Sequence, residues 1–109
     1  MTPVESGYSL ARVRFEIALA PAAVADLRRL KANERSSVPD ALETHLRHDP
    51  RKTSRIRIKR LRGIARPEYR LRVGDIRVFY DVSERTVEVL AIVSKRDAAD
   101  WLAESGEVR

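Results

Sequence analysis

The segment 69–82 constrains the fold more than any other part of the sequence. Apolar and polar residues alternate through it on both sides of Gly74-Asp75, and a glycine-containing dipeptide of this kind is typical of a two-residue β-turn. Alternation with a period of two is typical of a strand with one buried face. The segment therefore predicts an antiparallel hairpin in which Val73 pairs with Ile76 and the other residues follow in register.

The register of this hairpin divides its side chains between two faces of a sheet. The predicted core face carries Tyr69, Leu71, Val73, Ile76, Val78 and Tyr80. The predicted open face carries Arg70, Arg72, Arg77 and Phe79. Like charges directly opposite each other repel, so a sequence selected for stability alone would avoid this arrangement. Either the arginines extend into water, or they form a phosphate site through bidentate donors, beside a phenylalanine that could stack on a nucleobase.

Periodicity outside the hairpin predicts the remaining elements. A strand over 12–17 precedes a helix that Pro21 opens and that runs to about Ala32. A second helix, capped by Asn33 or Ser37, presents apolar residues at intervals of four and stops at Asp49-Pro50. Residues 56–61 are predicted to form a strand or a strand-like edge, and further strands are predicted over 69–73, 76–82 and 87–93, followed by a short helix from a cap at Asp97 to Gly106.

The order of these elements, β-α-α-β-β-β-α, predicts an α+β fold. We expect an antiparallel sheet of three or four strands packed against a helical hairpin, with a short C-terminal helix. Residues 1–9 lack a pattern and are predicted to be a flexible N-terminal tail. Residues 10–106 are predicted to form a single domain, because a chain of 109 residues has room for one core.

The charge of the chain is basic and unevenly distributed. Lysine and arginine total 22 against 16 acids, a net charge of +6, and eleven of the cations lie between residues 51 and 77. This excess fits a solvated face, a polyanion site or a docking face for an acidic partner. The chain has no cysteine and no apolar stretch of the roughly 20 residues that a membrane span needs. We therefore expect a cytoplasmic protein without disulfides.

Other candidate sites are weaker. His45 and His48 lie three residues apart near a helix end, without a carboxylate or cysteine cluster that would complete a metal site. Asp81, Glu84 and Glu88 do not form an obvious acid–base pair. The sequence contains no phosphate loop, no nucleophile elbow and no dinucleotide-binding fingerprint. We expect neither a metal nor a cofactor.

Three segments together resemble the central signature of the RelE/ParE superfamily of toxins, and RelE-type members more than ParE-type ones. These segments are 60–63, the hairpin 69–82 and the strand that ends in Val93-Ser94-Lys95-Arg96. The resemblance covers residues 13–104 in element order. It implies a small toxin of a type II toxin–antitoxin system, held inactive by a cognate antitoxin. RelE-type members cut mRNA, often on the ribosome, whereas ParE-type members inhibit DNA gyrase.

The resemblance also implies roles for individual residues. It implies that Arg70, Arg72, Arg77 and Arg96 are the working residues. We expect catalytic roles for Arg72, Arg77 and Arg96, and RNA or phosphate binding by Arg70, Lys59, Arg62 and Phe79. The tyrosine that RelE-type enzymes carry in the final helix is replaced by Leu102, next to Trp101. Arginine stands where those enzymes often have lysine, and arginine stays protonated at physiological pH. The arginines are therefore poor general bases, although they can offset charge on a pentacoordinate phosphate.

The resulting expectation is an mRNA interferase, an endoribonuclease with an arginine-rich site that a cognate antitoxin with an acidic or amphipathic segment neutralises. Its other expected partner is mRNA, on the ribosome or free. Two alternatives stay open because a fold does not fix a function. One is a ParE-like inhibitor of DNA gyrase without catalysis. The other is a non-enzymatic module that binds RNA or a protein partner.

Overall fold

A computed structural model describes residues 13–109. The predicted tail over residues 1–9 and the start of the predicted first strand at Arg12 lie outside this range. In chain order the elements are β1 (Glu16–Leu19), α1 (Pro21–Arg29), α2 (Ala32–Leu46), β2 (Ile58–Arg60), β3 (Ile64–Arg66), β4 (Tyr69–Val73), β5 (Ile76–Val82), β6 (Thr86–Ser94), α3 (Lys95–Ser105) and β7 (Glu107–Val108). They confirm the predicted α+β class. None of the helices within residues 13–109 has the length and apolar character to cross a membrane.

The main sheet has five strands in the order β1-β6-β5-β4-β2. The pairs β2–β4, β4–β5 and β5–β6 are antiparallel, whereas β1 runs parallel to β6. The sheet is thus mostly antiparallel, as expected, but it has five strands instead of three or four and includes one parallel pair. Parallel strands need a long connection, and here helices α1 and α2 and four strands lie between β1 and β6. A second, two-stranded sheet pairs β3 with β7, and the sequence pattern did not predict it.

The β4–β5 hairpin has the predicted register. Val73 pairs with Ile76 and Arg72 with Arg77, so every residue of β4 meets its expected partner. Gly74 occupies the turn with φ of 57°, a left-handed conformation that glycine adopts without steric cost. The prediction that decides which arginines share a face is thus confirmed.

The helix ends differ from the predicted caps. Helix α2 begins after Lys31 rather than at Asn33 or Ser37, and the Lys31 N–H donates to Glu34 Oε1 over 3.4 Å. The helix continues through Pro39. Helix α3 begins one turn earlier than expected, because Ser94 caps it by accepting a hydrogen bond from the Asp97 N–H over 3.2 Å. Apolar spacing located both helices, but it did not fix their first residues.

The core lies between the main sheet and the α1–α2 pair. Buried residues of the two helices, among them Ala23, Val38 and Leu46, pack against sheet residues such as Leu71 and Val78. Helix α3 contacts the opposite face through β5 and β6. The sheet therefore has one fully covered face and one face that α3 covers only in part.

A partly buried aspartate links helix α1 to strand β6. Asp26 Oδ2 accepts a hydrogen bond from the Ile92 N–H over 3.0 Å, and its other oxygen accepts one from Arg29. We expect Asp26→Ala to lower the free energy of unfolding by about 1–3 kcal/mol, because the N–H of the buried Ile92 would lose its acceptor. Urea unfolding of this variant beside Asp40→Ala, which removes an exposed acid of α2, measures the difference. Equal midpoints for the two variants would contradict this role of Asp26.

Candidate functional site

Three arginines lie together on the partly open face of the sheet, and we call them the arginine cluster: Arg70, Arg72 and Arg77. Arg72 lies directly opposite Arg77, and Arg70 is two residues away on the same face of β4. Within residues 13–109, none of the three forms an ion pair with a carboxylate. Three guanidinium charges in this arrangement attract an anion.

Arg77 is the buried member of the cluster. The residue is only 8% exposed. Its Nη1 donates to the carbonyl oxygens of Gly74 over 2.9 Å and Ile76 over 3.0 Å. Burial, and then the charge of Arg72, lower the pKa of Arg77, while Asp75 acts in the opposite direction. Arg77 therefore supports the hairpin turn and contributes positive charge from beneath the surface.

Arg70 carries a donor that has no acceptor. Its Nη2 donates to the Ile56 carbonyl oxygen over 2.9 Å, but its Nε is buried and has no hydrogen-bond partner in the described part of the chain. Burial, followed by the charges of Arg77 and Arg72, lowers the pKa of Arg70. A buried donor without an acceptor costs about 1–3 kcal/mol.

The structure brings Lys59, but not Arg62, to the arginine cluster. Lys59 is exposed and aligned with Arg70 across β2 and β4, so it extends the basic face toward the sheet edge. Arg62 lies after the end of β2 and lines a different groove with Arg60 and Arg109. The expected phosphate contact of Arg62 is therefore not part of the same site in this conformation.

Arg96 lies at the turn end of the hairpin. The Lys95 N–H donates to the Asp75 carbonyl oxygen over 2.7 Å, which joins the β4–β5 turn to the start of α3. Arg96 follows directly, with its side chain 89% exposed and its Nε 3.5 Å from Asp97 Oδ1. It lines an open groove of about 540 Å³ with Asp75 and Lys95. Arg96 thus flanks the cluster at its turn end without contacting it.

Phe79 is not available to stack on a nucleobase in this structure. The residue is 1% exposed, and the ring of Trp101 from α3 covers it at a centroid separation of 4.9 Å and an interplanar angle of 12°. The expectation of an exposed phenylalanine platform is therefore wrong. Trp101, which is half-buried, is the aromatic residue that faces the surface here. The sequence placed it in the final helix but gave no register between that helix and the sheet.

The acidic residues of the sheet lie toward its other end. Asp81 pairs with Glu88 across β5 and β6, and Arg66 lies 3.4 Å from Asp81 Oδ2 and 3.0 Å from Glu88 Oε1. Burial raises the pKa of Asp81 in spite of the Glu68 N–H and Arg66. His48 Nδ1 lies 3.2 Å from the Val13 carbonyl oxygen. Across residues 13–109, no three histidine or acidic side chains are placed to hold a metal ion.

The residues from 17 to 99 match a family model described as the ParE toxin of type II toxin–antitoxin systems, parDE. The chain belongs to the ParE toxin family. Membership confirms the resemblance to the RelE/ParE superfamily and makes this ParE-family chain a type II toxin. A comparison with curated protein sequences finds no match.

Solved structures similar to the ParE-family chain are toxin–antitoxin complexes. One is the RelBE2 complex of Mycobacterium tuberculosis, with 22% identity over 75% of this chain and 99% of that chain, at a TM-score of 0.58. The RelB–RelE complex of Methanococcus jannaschii shows 19% identity over 77% of this chain and 96% of that chain, at a TM-score of 0.56. The RelE–RelB complex of Pyrococcus horikoshii OT3 shows 24% identity over 76% of this chain and 97% of that chain, at a TM-score of 0.53. At these identities the likeness supports a shared fold.

Proposed function

We propose that this type II toxin cleaves mRNA and that the arginine cluster binds the scissile phosphate. The observation that carries the proposal is the placement of Arg70, Arg72 and Arg77 on one face of the hairpin, without a carboxylate paired to any of them within residues 13–109. Phosphate oxygens accept hydrogen bonds from several guanidinium donors at once. The unpaired positive charge favours a phosphate over a neutral ligand.

The arginines act on charge rather than on protons. When the 2′-hydroxyl oxygen attacks the adjacent phosphorus, a 2′-O–P bond forms and the P–O5′ bond breaks, with a pentacoordinate phosphorane between. Arg72, which is exposed, and Arg70 donate to its equatorial oxygens, while Arg77 adds charge from below. Water or a group on the ribosome accepts the 2′-hydroxyl proton, and water or such a group supplies the proton that the leaving 5′-oxygen takes up. Arg96, at the turn end, offsets charge on that leaving oxygen.

An antitoxin is the second partner that we propose. The similar solved structures are complexes of RelE with RelB, which supports an antitoxin for this chain. A chain that places carboxylates over the arginine cluster would neutralise its charge and exclude RNA phosphate. Because opposite charges accelerate association, the on-rate should fall as salt rises.

Inhibition of DNA gyrase without catalysis is the second candidate function. Two observations favour it: the family model that matches is that of the ParE toxin, and Leu102 stands at the position of the RelE-type tyrosine. Under this alternative the basic face binds a protein or DNA surface, and no phosphodiester bond breaks.

Induction of the chain in bacteria distinguishes the two candidates. We expect new mRNA 5′ ends within minutes, mapped by primer extension, while the supercoiling of a reporter plasmid stays unchanged. Arg72→Gln is the test variant, because it removes one charge of the arginine cluster. Arg28→Gln is the control, because it removes an equal charge from the exposed side of α1. Altered supercoiling with intact transcripts would support the gyrase candidate instead.

A further inference from the structure

A second basic groove lies at the edge of the main sheet, beside the end of α2, and the proposed cleavage does not use it. We call it the β2 groove, with a volume of about 220 Å³. Its lining residues are Thr44, His45, Asp49, Lys52, Thr53, Ser54, Arg57 and Ile58. Strand β2 has a neighbouring strand on one side only, and Ser54 bonds the N–H and the carbonyl oxygen of Ile58 on the other side, so the groove lies at the edge of the sheet.

Arg57 connects the β2 groove to the arginine cluster. It also lines an adjoining groove of about 230 Å³ that includes Arg72 and Gly74. Its carbonyl oxygen accepts a hydrogen bond from the Arg72 N–H over 2.8 Å. A ligand bound at Arg72 can therefore continue past Arg57 into the β2 groove without leaving basic surface.

The donors of the β2 groove suit phosphate oxygens. Lys52 and Arg57 are exposed cations, and lysine, arginine and hydroxyl side chains make most protein contacts to nucleic-acid phosphates. Ser54 Oγ accepts hydrogen bonds from the N–H groups of Arg57 over 3.0 Å and Ile58 over 3.2 Å. Those bonds fix the oxygen and leave its hydroxyl hydrogen to donate to a ligand.

His45 adds electrostatic evidence that the groove is basic. Burial is the main cause that lowers the pKa of His45, and the charge of Arg57 is the second. The Arg57 guanidinium therefore acts on the imidazole from within the groove. Asp49 is the acidic residue of the lining, against the two permanent cations Lys52 and Arg57.

We propose that the β2 groove binds the phosphate backbone of single-stranded RNA that runs from the arginine cluster across the edge strand. The inference rests on the proposed function, because it extends the same substrate beyond the scissile phosphate. Continuity with the cluster through Arg57 and the fixed Ser54 hydroxyl favour RNA over an acidic peptide, which is the other polyanion that could lie here. The groove would bind flanking nucleotides and leave the chemistry to the cluster.

The test compares short and long RNA. The probes are fluorescent oligouridylates of about 4 and about 12 nucleotides, lengths within the range of common single-strand site sizes, with 2′-O-methyl groups that prevent cleavage. We expect the double variant Lys52→Gln/Arg57→Gln to bind the long probe about tenfold more weakly and the short probe equally well. Its salt dependence for the long probe should fall by about 1.4 in log–log slope, since each single-strand phosphate contact contributes about 0.7.

Two further variants separate the possible outcomes. Arg28→Gln is the matched loss of charge, because α1 contacts β1 and β6 at the opposite side of the sheet from β2. If Arg72→Gln weakens both probes but the double variant weakens neither, the β2 groove is not an RNA site and the proposed function stands. If neither probe binds the wild type, both proposals fail. Thermal melts verify that each variant is folded.

A polyglutamate peptide tests the other polyanion. We expect the peptide to compete weakly with the long RNA probe and to bind the wild type and the double variant equally well. If the peptide instead binds through Lys52 and Arg57 while the long RNA binds no more tightly than the short RNA, the groove is a site for an acidic protein segment. That result would overturn the inference.

Discussion

Arg72→Gln is expected to reduce mRNA cleavage and growth inhibition about a hundredfold, because one charged phosphate contact in a preorganised site contributes roughly 3 kcal/mol to the barrier. The fold should be retained, since Arg72 is exposed and forms no ion pair with a carboxylate within residues 13–109. Removing its charge also relieves repulsion with Arg77 across the hairpin. The melting temperature should therefore stay level or rise slightly. The gain in the free energy of unfolding should be about 1 kcal/mol at most.

Arg77→Gln is the informative comparison for this prediction. Arg77 bonds the carbonyl oxygens of Gly74 and Ile76, so its replacement should lower the melting temperature as well as the activity. Toxicity is read from growth after induction, and stability from thermal melts of the purified variants. Full toxicity of Arg72→Gln would place the active surface elsewhere. A strongly lowered melting temperature for Arg72→Gln would make that arginine a structural partner.

Trp101→Ala is expected to lower the free energy of unfolding by about 2–4 kcal/mol. Changes from a large residue to alanine in a core cost about 3–5 kcal/mol. The cost should be smaller here because the indole is half-exposed, although the aromatic contact to Phe79 is also lost. No residue of α3 is fully buried, so the stack with Phe79 contributes much of its attachment. Amide hydrogen exchange should therefore accelerate in α3 before it accelerates in β5.

Glu104→Ala is the control for the tryptophan variant, because Glu104 is an exposed residue of the same helix. It should change stability by about 0.5 kcal/mol or less. Unchanged exchange in α3 of Trp101→Ala would show that other contacts attach the helix. Uniform loss of protection across the sheet would show that α3 unfolds only together with the whole molecule.

The hairpin was predictable because its information is local. Alternation on both sides of Gly74-Asp75 fixes which residues face each other, and the observed pairs from Tyr69–Tyr80 to Val73–Ile76 follow it. The clustering of Arg70, Arg72 and Arg77 follows from the same register. Their charges on one face could thus be read from the sequence before any tertiary contact was known.

The features that the sequence did not predict depend on contacts between distant elements. The burial of Phe79 requires the packing of Trp101 from α3, and helix periodicity does not determine where a helix lies on a sheet. Arg77 is buried and bonds the carbonyl oxygens of Gly74 and Ile76, whereas the alternation pattern predicts only that it lies on the open face. The role of Arg57 arises from the shape of a strand edge, and no spacing in the sequence encodes it.

The parallel pairing of β1 with β6 has a consequence for the order of folding. Glu16 aligns with Thr86, so this pair closes a loop that contains most of the chain, whereas β4 and β5 are joined by a tight turn. Local hairpins form within microseconds, while distant pairings bear a larger loop-closure entropy and form late. The cationic hairpin can therefore assemble before β1 completes the sheet. A nascent chain would carry its concentrated positive charge while the first strand is still undocked.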